Sequence, residues 1–411
     1  MTHHLYYTDS FLYEFEAKVV DVIGSTEAEP RPSVVLDRTA FYPTSGGQVF
    51  DTGWIAPDDS SDQKARVVEV TETDDGTVRH FLSDAAWVEG GLRVHGAIDA
   101  NRRRDHMQQH SGQHVLSAAF VHLFNLQTVS FHMGEDYCSI DLDTKGLSRE
   151  VEAAEQLANE VVLENRPVNI RFVTQEESRS LGLRKLPPAN RGELRLIEVP
   201  EFDLSACGGT HVRSTGQIGC ILLRKIEKVR QGIRVEFVCG QRAVRTARQD
   251  YSSLAEAASL YSAQLWDVPQ AIRKAQDEAR TARRLREQLE EELAEQLAIG
   301  ILAETPVENG RKVVVKIYDD RDLNFIKLLG QKLTRLETVV IALLAAMQVQ
   351  PAVLFVQSQG QPFDMGAFMK QALATLGGRG GGSKDMAQGG PQQVGELPTV
   401  LEQLADKIRN A

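Results

Sequence analysis

Two short segments, His110-Ser111-Gly112-Gln113-His114 and Cys207-Gly208-Gly209-Thr210-His211, each place two metal-type side chains four positions apart. No other feature constrains the fold as tightly. Three imidazoles and one thiolate make a donor set suited to zinc, a borderline-soft ion that takes four ligands and has no geometric preference from its d-electrons. Around the first pair, Met107, Val115, Leu116, Ala119, Phe120 and Leu123 recur at helical spacing, so His110 and His114 share one helical face. Cys207 and His211 bracket two glycines, which suit a tight turn. The chain must therefore bring a helix and a distant loop to one point, with His110, His114, Cys207 and His211 as candidate metal ligands and, if the metal is reactive, as the catalytic set.

A zinc protease also uses histidines at i and i+4, but its motif needs a Glu directly after the first, and this chain has Ser111. A purely structural zinc fits the spacing as well. At 411 residues two or three domains are expected, and 42% hydrophobic with 25% charged residues is a soluble globular composition. The sequence shows no apolar run of membrane length and no signal-peptide pattern. A cytoplasmic location is the expectation, and Cys138, Cys207, Cys220 and Cys239 are expected to be reduced. The net charge of −11 opposes diffuse attraction to nucleic acid. Local clusters would have to compensate: Arg102, Arg103 and Arg104 before the first histidine, and Arg224, Lys225, Lys228, Arg230 and Arg234 after the CGGTH loop. Because they flank both halves of the metal motif, they suggest an RNA funnel there, with Arg102 and Arg103 as contacts.

Taken in order, the predicted architecture is α+β in four parts. Residues 1–98 carry short strand runs at 14–22, 33–36, 66–71, 77–82 and 92–98, with a hairpin signal at Asp74-Asp75-Gly76, and read as a small β-barrel. Residues 99–240 hold the metal helix behind the N-cap Asp99 and a second helix at 149–165. Strand runs follow at 168–173, 194–199, 219–226 and 233–239, making a metal-binding α+β domain on one mainly antiparallel sheet. Residues 241–305 are a helical linker whose stripe of Ile272, Ala275, Ala279, Ala282, Leu285, Leu289 and Leu293 packs either within the chain or against a second copy in a homodimer. Residues 306–411 alternate strands and helices as a small α/β domain. In that domain the glycine-rich run 377–390 reads by composition as a flexible loop with two cations, Arg379 and Lys384; it lacks the spacing of a nucleotide P-loop.

CGGTHVRSTGQIG at 207–219, together with the HxxxH helix, resembles the editing domain of alanyl-tRNA synthetases and their free-standing relatives. FYPTSGGQ at 41–48 and GGRGGGSKDMAQ at 377–388 resemble two further motifs of that family, in the family's order. The resemblance implies a zinc-dependent aminoacyl-tRNA hydrolase (a carboxylic ester hydrolase) that removes serine, or less often glycine, from tRNA(Ala). It implies Gln48 as a wall of the site. Polar side chains on the segment 128–132, Thr128 and Ser130 among them, would contact the aminoacyl group; His132 departs from the family's usual Gln. Arg379 and Lys384 would contact tRNA. No aminoacylation domain precedes the barrel, so a stand-alone, long-form editing factor is expected. The alternative is a non-catalytic tRNA-binding protein with a structural zinc.

Overall fold

In the computed structural model, which describes residues 2–25, 31–58, 63–84, 86–146, 150–184, 193–230, 232–348 and 350–411, Glu14–Ile23 alternates exposed charged side chains with buried Phe15, Ala17 and Val19. That period of two is a strand with one face in a core. This strand, β1, is followed by β2 (Ser33–Leu36), β3 (Gly53–Pro57), β4 (Ala65–Glu72), β5 (Val78–Leu82) and β6 (Arg93–Ile98). They close into an antiparallel barrel in the order β1-β2-β5-β4-β3-β6 around Leu36, Ile55, Val67, Val78 and Val94. The Asp-Gly signal at Asp75-Gly76 is the turn between β4 and β5, with Gly76 at φ 77°. Strand β3 is absent from the sequence reading, since GWIAP begins in Gly and ends in Pro, both weak strand formers.

Next comes α1 (Ala100–Phe124), capped by Asp99, whose side chain accepts from Arg102 N, and ended by Asn125 in the left-handed conformation. From His106 to Phe120 every residue is buried, so α1 runs through the middle of its domain. Several of its polar side chains are satisfied in place: Gln109 clasps the Cys239 backbone through both its carbonyl and amide groups. Around α1 lie β7 (Thr128–Met133), β8 (Cys138–Leu142), α2 (Glu150–Leu163), β9 (Asn169–Thr174), β10 (Glu193–Val199), β11 (Asp203–Ala206), β12 (Ile221–Val229) and β13 (Gly232–Cys239). Arg149, the expected first residue of α2, lies outside the described residues. The strands form two sheets, β12-β13-β8-β7 and β9-β10-β11, where one was expected. The division arises at the unrecognised β11, four residues that pair with β10 and lead directly into Cys207.

Arg103 is the joint between α1 and the barrel. Fully buried, it pairs with buried Asp51 and donates to the carbonyls of Ser10 and Ala40. Asp51 also accepts from Tyr42 N. The expectation that Arg103 contacts RNA is thereby corrected: with 0% exposure its charge is spent inside, where breaking one partner leaves an uncompensated buried ion.

The chain divides into two compact units, Met1–Glu256 and Ala257–Ala411. The expected linker consists of α3 (Gly240–Leu260) and the long α4 (Val268–Glu304). In the second unit α4 buries Ala294, Ala298, Ile301 and Leu302 against its core, while Leu285, Leu289 and Leu293 are exposed. Strands β14 (Lys312–Tyr318), β15 (Val340–Ala346), β16 (Ala352–Gln357), β17 (Arg379–Gly382) and β18 (Met386–Gly390) form one sheet in the order β14-β15-β16-β18-β17. Helices α5 (Leu323–Leu336), α6 (Met365–Leu376) and α7 (Leu397–Arg409) pack on it. The glycine-rich run is not a loop: it is a β-hairpin, with Gly380 opposite Gly389 and Gly382 opposite Ala387. Composition suggests flexibility, but the sheet edge supplies the missing hydrogen bonds.

Inside the barrel, buried His80 donates from Nδ1 to Val34 O and accepts at Nε2 from the Thr39 hydroxyl. Burial pushes its pKa down to about 4 from 6.5, against the bond to Val34. Between those values the unfolded ring binds a proton and the folded ring does not, so stability falls as pH falls through that window. Urea unfolding from pH 6.5 to 4 should cost the native protein about 3 kcal/mol more than His80→Gln; equal losses would show that His80 titrates freely when folded.

Candidate metal centre

His110, His114, Cys207 and His211 bring one ligand atom each to within 4.8 Å of one another. Their origins are those the spacing implies, α1 for the first two and the turn after β11 for the others. Two glycines make the approach possible. A Cβ on Gly112 would sit 2.2 Å from Cys239 Sγ, and one on Gly209 would sit 2.2 Å from the His110 ring. Cys207 Sγ lies 3.4 Å from His110 Nε2 and 3.3 Å from His211 Nε2. Zinc bonds of about 2.3 Å to sulfur and about 2.0–2.1 Å to nitrogen give a sulfur–nitrogen edge of roughly 3.5 Å in a tetrahedron, so the donors fit that ion.

Each imidazole is also held from behind. His110 Nδ1 donates to Gln48 Oε1 (2.7 Å), His114 Nδ1 to Asp203 Oδ2 (2.9 Å), and His211 Nδ1 is paired with Ser111 Oγ (3.1 Å). With every Nδ1 occupied, every Nε2 faces the thiol, which fixes tautomer and orientation together. Burial opposes ionisation of Cys207, but the His110 and His211 rings hold its thiol well below the ordinary range. His211 is pushed down to about 3, first by burial. His114 is raised despite burial, because Asp203 and Cys207 face it, while His114 and Arg184 hold buried Asp203 below the usual carboxylate range.

The cluster opens on a cavity whose lining includes Tyr42, Gln113, Thr128, Ser130, Phe131 and Arg184. Thr128 donates its hydroxyl hydrogen to Ser117 Oγ (2.7 Å), which also accepts from Gln113 Nε2 (2.8 Å). The Thr128 oxygen is thus left as an acceptor toward the cavity. Ser130 lines the same wall but donates to Asp141, itself forked by Arg234. His132 is exposed on β7.

The chain is similar to known proteins along its whole length. Residues 194–235 match the family model "Threonyl and Alanyl tRNA synthetase second additional domain", residues 2–102 match "tRNA synthetases class II (A)", and residues 310–410 match "DHHA1 domain". Alanyl-tRNA editing protein AlaX-L of Pyrococcus horikoshii is 31% identical over 416 residues, spanning 100% of this chain and 99% of the relative. The chain belongs to the AlaX-L family. Alanine–tRNA ligases of Archaeoglobus fulgidus and Pyrococcus abyssi are 31% and 29% identical over 98% of the chain, which spans 43% of each ligase.

Several expected site residues take other positions. Gln48 is buried behind His110, where it also bonds the Thr210 hydroxyl and backbone; it orients a ligand and does not form the cavity wall. Arg102 is half-buried over Phe50 and donates to Phe50 O. In the cationic run after the loop, Arg224, Lys225 and Arg234 pair with Asp250, Glu227 and Asp141, which leaves little of the expected funnel. Arg379 and Lys384 are exposed on the hairpin of the second unit. The sequence reading misses Asp203, Arg184 and Arg195. Buried Arg195, on β10, donates to the carbonyls of Tyr7, Cys207 and Gly209, and so ties the N-terminal segment to the metal turn.

Elemental analysis should find about one zinc per chain, largely lost in Cys207→Ala and His110→Ala. Gln48→Leu should keep the ligands but bind zinc about 10–100-fold more weakly in competition with a chelator; unchanged affinity would show that the Gln48 bond does not tune the site.

Proposed function

We propose that the chain is a trans-acting deacylase that hydrolyses the ester joining serine, and more slowly glycine, to tRNA(Ala). The observation that carries this reading is the His110, His114, Cys207 and His211 cluster, fixed from behind and opening on a cavity with a polar wall at Thr128. Full-length similarity to a protein named for alanyl-tRNA editing supports it. A synthetic site built for a methyl side chain cannot exclude glycine and rejects one added hydroxyl weakly, so a second, hydrolytic site is the usual remedy.

In this reading Gln48, Asp203 and Ser111 orient the imidazoles, and the Thr128 oxygen accepts from the serine hydroxyl. A zinc ion held by the four ligands supplies polarisation and a fixed anchor for helix and turn. Arg379 and Lys384 hold tRNA phosphates, and action on charged tRNA places the protein in the cytoplasm.

Four protein ligands would fill a tetrahedral zinc shell, as in structural zinc sites, and this favours the second reading, a non-catalytic tRNA-binding protein. Turnover separates the two. Substoichiometric protein should release free serine from Ser-tRNA(Ala), and a protein that binds the tRNA without releasing serine is the non-catalytic one. Thr128→Val preserves shape but leaves the substrate hydroxyl unpaired, at about 1–3 kcal/mol. Hydrolysis of the serine ester should fall by that amount relative to the glycine ester; an equal effect on both would remove Thr128 from side-chain recognition.

A further inference from the structure

Arg184 lines the metal cavity, yet neither the motifs nor the mechanism above give its outer face a task. Its backbone N–H is anchored to Leu204 O on β11. Its Nε donates to Asp203 Oδ1 (2.6 Å) and one terminal nitrogen, Nη2, reaches Asp203 Oδ2 at 3.3 Å. Asp203 also accepts from His114 and from the Ser205 hydroxyl, so its carboxylate is fully engaged. The guanidinium is therefore held rigidly by one edge and keeps the Nη1 donors of the other without a partner among the described residues. Arg184 is also the sole lysine or arginine among the described residues lining the cavity, whose one carboxylate is Glu72.

A preorganised guanidinium edge in a part-buried cavity suits an oxygen anion, and phosphate is one whose geometry the fork matches. One side chain, Asp203, stands between it and the ligand His114. That places it away from an ester carbonyl at the metal and toward the far side of the sugar bearing that ester. We propose that Arg184 forms an anion subsite that receives the phosphate of the terminal nucleotide of an aminoacylated RNA. Naming RNA as the ligand rests on the deacylase reading; the anion site rests on the geometry.

The test uses the full zinc-loaded chain and two hydrolysis-resistant probes, 3′-seryl-amino-3′-deoxyadenosine and its 5′-monophosphate, with binding measured by calorimetry. The phosphate should tighten binding about 10–100-fold, the range for hydrogen bonds to a charged group. Arg184→Met should erase that preference and Arg184→Lys retain part of it, both with zinc content unchanged. Equal affinity of the native protein for the two probes overturns the subsite, as does a preference that survives Arg184→Met. Loss of zinc in both variants also overturns it, because Arg184 would then serve only to brace Asp203. Native protein that prefers the phosphorylated probe but releases no serine from Ser-tRNA(Ala) supports the subsite while refuting the deacylase reading; serine release without the preference does the reverse.

Discussion

The centre depends on hydrogen bonds that reach each imidazole on the side away from the thiol. Gln48 comes from the barrel, Asp203 from the three-stranded sheet and Ser111 from the central helix. A ring held at Nδ1 can present only Nε2, so three separate parts of the first unit must be in register before four ligand atoms can converge. This makes the barrel part of the site. Arg103 and Asp51 lock the helix to the segment that carries Gln48, and Arg195 locks the metal turn to the N-terminal segment. A substitution in the barrel that shifts residues 45–48 would act on His110 without touching it.

Buried charge is distributed unevenly around this point. Arg103 has Asp51 and Arg184 has Asp203, but Arg195, over the Tyr7 ring, hydrogen-bonds only carbonyls among the described residues, and its Nη2 is buried without a hydrogen-bond partner among them. A cation desolvated beside carbonyls costs stability unless an anion lies nearby, and the Cys207 thiol, held down by His110 and His211 against burial, is the nearest source of one. In a chain of net charge −11, the cavity wall holds one cation among the described residues, Arg184, and it is already paired with Asp203. Diffuse attraction would have little to offer a polyanion here; a short-range, oriented site at its chemically distinct end can still act through water-excluded contacts.

How much was legible in the sequence follows from what each residue depends on. His110 and His114 could be placed because helix period alone puts them on one face, and Cys207 and His211 because two glycines imply a turn. Thr128 was reached through the resemblance alone, which implies polar side chains on the segment 128–132 against the aminoacyl group. Asp203 and Arg184 could not, because their roles exist only when β11 pairs with β10, and a four-residue strand gives almost no periodic signal. Arg103 misled for the opposite reason: three consecutive arginines read as a basic patch, but a helix turns successive residues through different directions, and this one points into the core. The hairpin of 379–390 was hidden by composition, since glycine signals flexibility unless a sheet edge is there to receive it.

On the deacylase reading, the same wall must also spare correctly charged tRNA. Because Thr128 spends its hydrogen on Ser117, its oxygen can only accept, and only a side chain with a donor satisfies it. Alanine places a methyl group there and leaves the acceptor unpaired, a penalty of about 1–3 kcal/mol, or roughly a 5- to 150-fold bias at 1.4 kcal/mol per decade. Glycine has no side chain, so a water fits into the vacant space and pairs with the oxygen at small entropic cost. One oriented hydroxyl therefore ranks the three esters as serine, then glycine, then alanine. The ordering follows from where the Thr128 hydrogen points, and Ser117 and Gln113, buried in the central helix, are what point it.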